Sequence, residues 1–196
     1  MKTFTPQTFS LPTLNGISEK NIEEHLKLYQ GYVKHANLIL EKIAELSADS
    51  EKNAYLLGEL QRRFAFEFDG MRNHEYYFKN LEGGAQALPQ ESSLKAAIEE
   101  EWGSIDAWLA RFKVVALTRG VGWAVLYYDP KTKRLLNAWV DEQHYGHLTG
   151  LVWIFGIDMW EHAFVADYHP SGKKQYIEDY IAQVNWKTVA ENFSGA

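Results

Sequence analysis

The chain has 196 residues, 46% of them hydrophobic and 23% charged, with no cysteine and a formal net charge of −6. That length fits one domain or two small, packed ones with a real core, and the acidic balance argues against nucleic acid, which needs a basic face. The missing cysteines exclude disulfides, iron–sulfur clusters and a cysteine nucleophile, so a metal here must use histidine, carboxylate or water.

Residues 1–16 read as an extended arm ending in the turn-prone pair Asn15-Gly16. The arm has no continuous apolar segment of the signal-peptide kind, and no run in the chain reaches the roughly 18 apolar residues of a membrane span. The expectation is a cytoplasmic protein with no membrane partner. Ser18 then looks like a helix N-cap, with Glu19 and Glu23 early in the helix. Ile22, His25, Leu26, Tyr29, Val33, Ala36, Leu40 and Ile43 follow in steps of three and four, which describe one helix face. After Ser50, Leu57, Leu60, Phe64, Phe68, Met71, His74, Phe78 and Leu81 repeat the pattern until Gly83-Gly84. Two long helices with a short polar link predict an antiparallel helical hairpin.

The glycines and Pro89 mark a connector, which divides the chain into 1–88 and 89–196. Short helices are predicted over 93–102 and 104–118. Aromatic and β-branched runs at 122–128 and 135–140 flank a turn at Asp129-Pro130-Lys131-Thr132-Lys133, and 151–157 is an apolar run of strand length. Helix returns from about Lys173. The prediction is an α+β protein: an N-terminal antiparallel helical hairpin, then a C-terminal lobe with a small three-stranded antiparallel sheet covered by helices.

Both predicted N-terminal helices carry a histidine on the apolar face, His25 and His74. Such a histidine is ordinarily a core residue; two facing each other across a hairpin also suit a metal, since neutral imidazole is its commonest ligand. Asp158-Met159-Trp160-Glu161-His162 follows directly on the apolar 151–157 strand. An acid at a strand end with a histidine four residues on can aim both side chains at one centre if a helical turn begins there. A carboxylate buried by such neighbours is costly unless paired or metal-bound.

Here the chain resembles the iron/manganese superoxide dismutases. DMWEHAF (158–164) is similar to that family's signature around its third and fourth ligands. SEKNIEEH (18–25) resembles the first-ligand helix, and Asn73-His74 with Tyr77 and Phe78 the second. Gly120-Val121-Gly122-Trp123 resembles the motif that sets a tryptophan beside the metal, and Val184-Asn185-Trp186 the family's VNW. The resemblance runs in order from about residue 11 to 193. It implies His25, His74, Asp158 and His162 around one manganese or iron ion per subunit, with water or hydroxide as fifth ligand. It implies dismutation of superoxide anion to dioxygen and hydrogen peroxide. Trp123 and Trp160 would wall the pocket, and Glu161 would reach the partner's fourth-ligand histidine in a homodimer, or in a tetramer built from it.

The family also supplies a glutamine near the metal-bound solvent, from one of two places. The first, four residues before the second ligand, is Gly70 here. The second corresponds to Gln143, as in manganese-type members, which Gly156 also resembles; the neighbouring His144 is its rival. The family's gateway tyrosine, eight residues after the first ligand, is replaced by Val33, and the histidine at four by Tyr29. Tyr32, at seven, is the alternative, so either the first helix has lost a residue or another tyrosine serves. The second tyrosine after the fourth ligand is Val165, and Lys173 stands near an arginine at the funnel rim. Two other readings use the same ligands: a non-haem metal oxygenase or hydrolase, and a non-catalytic metal-binding protein.

Overall fold

The structure is a computed structural model and describes residues 2–195. The arm leads into α1 (Glu19–Leu46), and a short 3₁₀ turn connects it to α2 (Ala54–Lys79). Ser18 starts α1: its side chain accepts the Asn21 N–H at 3.1 Å, satisfying one of the helix's free donors, a cap worth about 1 kcal/mol. The two helices pack along their length as the predicted hairpin. Buried His25, Tyr29, Val33 and Ala36 repeat every three to four residues on α1, as do Gly70, His74 and Phe78 on α2. α2 ends at Lys79, before the glycine pair. Gly83 and Gly84 lie in the following turn with φ of 72° and 80°, and the Gly83 N–H reaches back to Ser10 of the arm.

The second half opens with α3 (Ser93–Trp102) and α4 (Ile105–Ala116), capped by Ser92 and Ser104. Then come β1 (Gly122–Asp129), β2 (Arg134–Asp141) and β3 (Val152–Asp158), followed by α5 (Lys173–Gln183) and α6 (Trp186–Ser194). The three strands form one antiparallel sheet in the order β2-β1-β3, so the architecture is the expected α+β. β1 is the central strand and is buried on both faces. On one face Phe155 of β3 packs against Trp108, Phe112 and Trp186; on the other Trp123 meets His74 and Tyr77 of α2.

Two boundaries matter for the site. β3 takes in Asp158, one residue beyond the predicted apolar run, because Asp158 pairs with Trp123 and the next N–H, Met159, bonds Gly122 O at 2.8 Å. The aspartate is therefore held by the sheet itself. Between Leu126 and Tyr127 the β1–β3 register shifts by one residue, because Ile154 of β3 is left unpaired between Trp153 and Phe155. Trp139 on β2 is only half-buried, its indole N–H tied to Asp141 at 2.7 Å.

Candidate metal centre

α1 contributes His25, α2 His74, the end of β3 Asp158, and the 3₁₀ turn Glu161–Ala163 contributes His162. That turn supplies the change of direction needed for an aspartate and a histidine four apart to converge. Nε2 of His25 and of His162 each lie 3.2 Å from Asp158 Oδ2, and Nε2 of His74 lies 3.6 Å away. One donor atom from each residue falls within 4.8 Å of all the others, and no other such group occurs among the described residues. Opposite ligands of one ion at about 2.1 Å stand roughly 4.2 Å apart, so the set has the size of a single-ion cage. His25, His74 and Asp158 are fully buried, and His162 is partly exposed.

The protonation states suit a cation. His74 Nδ1 lies 2.6 Å from the Gly70 carbonyl, which can only accept, so Nδ1 carries the proton and Nε2 presents a lone pair to the centre. That Nε2 has no hydrogen-bond partner among the described residues. Burial pushes His74 down to about 3, helped by neighbouring His25, and burial likewise lowers His25. Burial works to raise the Asp158 carboxyl, but the charge of His162 and hydrogen bonds from His162 and His25 outweigh it and hold the group well below the usual carboxylate range. Neutral His25 and His74 beside an ionised carboxylate, with a buried nitrogen left unpaired, are a donor set that fits a metal ion.

Other contacts fix the cage. Asp158 Oδ1 accepts the Trp160 N–H at 2.8 Å, which leaves Oδ2 to face the histidines. The Trp160 indole lies nearly parallel to His162 at 5.7 Å and donates to the Glu142 carbonyl at 3.1 Å. Asn21, which sequence reasoning missed, donates to Ala163 O at 3.1 Å and to Asp167 Oδ2 at 2.9 Å. It binds the His162 turn to the start of α1.

Gln143 is fully buried after a residue, Glu142, in left-handed conformation (φ 51°). That turn faces the glutamine inward. Its Oε1 accepts the Trp123 indole N–H at 2.9 Å, and its Nε2 donates to Tyr32 Oη at 3.0 Å. Tyr32 also packs against the His74 ring at 5.1 Å. Trp123, Gln143, Tyr32 and His74 thus form one continuous wall. α1 is unbroken around Tyr32, so seven residues turn the helix by nearly two full turns and return Tyr32 to within about 20° of His25. The eighth position, Val33, falls about 80° away and is core. Gly70 is what lets Tyr32 approach: a Cβ there would stand 2.5 Å from the tyrosine ring.

Three candidates point elsewhere. Tyr29 is buried, but its hydroxyl donates to Glu75 at 3.1 Å and accepts the Gln7 N–H at 2.8 Å, joining the hairpin to the arm. His144 stacks on exposed Tyr145 and makes an edge contact with Phe66, with no bond to the cage. Lys173 gives its ammonium to the carbonyls of Thr118 and Gly120, each at 3.3 Å. Glu161 is exposed and has no ion pair among the described residues.

The fold sets a three-histidine, one-carboxylate cluster, of a size that could hold one metal ion, between a helical hairpin and a three-stranded antiparallel sheet. Residues 89–192 match the C-terminal domain of iron/manganese superoxide dismutases. The chain is 33% identical to a superoxide dismutase (Fe) of Cupriavidus metallidurans, over 93% of this chain and 91% of that one. It is 37% identical to a superoxide dismutase (Fe) of Aquifex aeolicus, over 93% and 87%, and 35% identical to a superoxide dismutase (Mn) of Mycolicibacterium smegmatis, over 88% and 82%. The chain belongs to the iron/manganese superoxide dismutase family, oxidoreductases that convert two superoxide anions to dioxygen and hydrogen peroxide.

Proposed function

We propose that His25, His74, Asp158 and His162 hold one manganese or iron ion per chain and that this centre carries the dismutation. The observation behind this is the unpaired, buried Nε2 of neutral His74 aimed at an ionised Asp158. When bound, the ion supplies one-electron chemistry, taking an electron from one superoxide and giving one to the next.

The protein's own part is to bind the anion in a dry pocket and to move protons. Trp123 and Trp160 keep water out and fix the carboxamide and the fourth ligand. Gln143 gives an N–H to the Tyr32 oxygen, so the Tyr32 O–H remains free to donate into the pocket. Burial, with the nearby Asp158 charge, raises the Tyr32 hydroxyl above its ordinary range, so it keeps its proton at neutral pH. Tyr32 is the gateway in this reading, and Gln143, rather than His144, is the group that addresses the solvent side of the ion.

Manganese is the metal we favour, because Gly70 cannot carry the alternative glutamine and Gln143 supplies it from the second strand's loop. We take 1–88 and 89–196 as the two structural units. We also take the protein to be a cytoplasmic homodimer, in which exposed Glu161 bridges to the partner's fourth ligand; no described helix is long and apolar enough to cross a membrane. The deciding experiment is metal analysis of purified protein and dismutation after reconstitution with each metal. One ion per chain with activity far above that of free metal is expected. Activity that requires an organic co-substrate would favour an oxygenase instead, and a bound, redox-silent metal a non-catalytic protein.

A further inference from the structure

The proton path leaves one inward-facing histidine unused. His147 follows Gln143 by four residues, in the loop between β2 and β3. Its Nε2 lies 3.0 Å from the Gln143 carbonyl, and its Nδ1 lies 2.6 Å from the Tyr127 hydroxyl. A carbonyl only accepts, so Nε2 carries the proton. Nδ1 then offers only a lone pair, and Tyr127 must donate to it. Tyr127 thereby fixes the His147 tautomer, as carboxylates and carbonyls do for metal-bound histidines. The same Gln143 carbonyl receives the Asn73 side-chain N–H at 2.9 Å, so both of its lone pairs are engaged.

This places the main chain of Gln143 under double restraint. The restraint matters because the preceding residue, Glu142, sits in the left-handed region, where a non-glycine backbone is held only by its surroundings. Beyond that point the carboxamide must reach Trp123 at one end and Tyr32 at the other. Tyr127 alternates with Trp123 and Val125 along β1, so its side chain lies on the sheet face that carries Trp123. A cavity of about 460 Å³ opens beside Tyr32 on one side of this network, and a separate one of about 370 Å³, lined by Asp69, Arg72, Tyr127 and His147, opens on the other. Asp69 is the nearest charged group to His147, at 4.0 Å.

We propose that His147, held in one tautomer by Tyr127, is a positioning residue for Gln143. It acts on the main chain of the glutamine and through it on the Trp123–Gln143–Tyr32 wall. The inference rests on the reading of Gln143 given above.

The test compares Gln143→Ala, His147→Leu, Tyr127→Phe and the double variant Tyr127→Phe/His147→Leu in metal-loaded protein. The readouts are the midpoint potential of the metal, the dismutation rate and thermal unfolding. A purely structural role would lower the melting temperature without moving the potential. The expected result is a potential that moves in the same direction in H147L as in Q143A, by less, with a rate loss of about fivefold for one lost hydrogen bond. Y127F should move it the same way, and the double variant no further than H147L, since both act through one ring. If H147L does not fold, Y127F carries the test. A changed potential in Q143A with wild-type potentials in both Y127F and H147L would overturn this inference and leave the Gln143 reading standing. An unchanged potential and rate in Q143A would overturn that reading, and the inference with it.

Discussion

The ring of Tyr32 lies directly on the main chain of Gly70, with no room for a methyl group between them: an added Cβ would stand 2.5 Å from Cδ1 and 2.7 Å from Cε1. The pair joins α1 to α2 at the level of the metal cage and sets how far the tyrosine oxygen reaches toward Gln143. Gly70 also accepts the His74 Nδ1 proton on its carbonyl, so the same residue orients the His74 ring and seats the tyrosine.

Gly70→Ala is therefore expected to push Tyr32 aside rather than be absorbed. The cost should be that of overpacking a core, about 1–3 kcal/mol. Dismutation should fall as the Tyr32–Gln143 bond lengthens. Thermal unfolding and activity of the metal-loaded variant check both, and an unchanged melting temperature would contradict the contact.

Tyr32→Phe removes the proton donor but keeps the ring that packs on His74. The variant should bind metal normally. It should lose activity by about 10²-fold, the lower end of general acid catalysis, with the loss largest where proton delivery limits turnover. Rate measurements in light and heavy water would test this: a phenylalanine variant with the wild-type rate and isotope effect would remove Tyr32 from the path.

The metal-free protein should weaken on mild acidification. His25 and His74 are neutral in the folded state, with pKa values lowered by burial, His74 to about 3. The unfolded chain takes up those protons near pH 6.5, so it gains stability first. Below that value each lowered histidine costs about 1.4 kcal/mol per pH unit, until the folded pKa is passed. Asp158 works in the same direction lower down: its contribution is complete above about pH 4 and fades as the pH falls through its depressed folded value. Denaturant unfolding of the metal-free protein at pH 7, 6 and 5 should give a falling series, and a flat one would mean that the histidines are not buried neutral.

Asn21→Ala should loosen the His162 turn from a distance. The substitution removes the buried bond to Ala163 O and the one to Asp167. A loss of about 1–3 kcal/mol is expected from the unsatisfied buried carbonyl. Because the turn carries the one partly exposed member of the four proposed ligands, metal retention against a chelator should fall more than the melting temperature does. Equal retention in wild type and variant would show that the turn is held by other means.

Much of this was legible without coordinates. The three-to-four spacing of apolar residues gave both long helices, the aromatic runs around Asp129–Lys133 gave the β1–β2 hairpin, and the acid four residues before a histidine marked the end of β3. The choice among near neighbours was not legible. Tyr29 and Tyr32 both lie within about 40° of His25 on an ideal helix, and only the packing of the arm and α2 turns one hydroxyl to Glu75 and the other to Gln143. Gln143 and His144 are adjacent in the chain, and the left-handed Glu142 decides which one faces inward. Asn21 gave no signal, since a lone asparagine in a first helical turn is common, and a loop histidine such as His147 says nothing of which backbone carbonyl it will bond.

The sequence by itself determined the family and the four candidate ligands, because a metal cage needs particular donor atoms and its motifs recur in fixed order. Only the tertiary structure decided which tyrosine bonds Gln143, which loop residue turns inward, and which groups bond that residue's main chain. Those choices depend on orientation across elements far apart in the chain, where a glycine without a Cβ or one residue at positive φ settles the direction of a side chain.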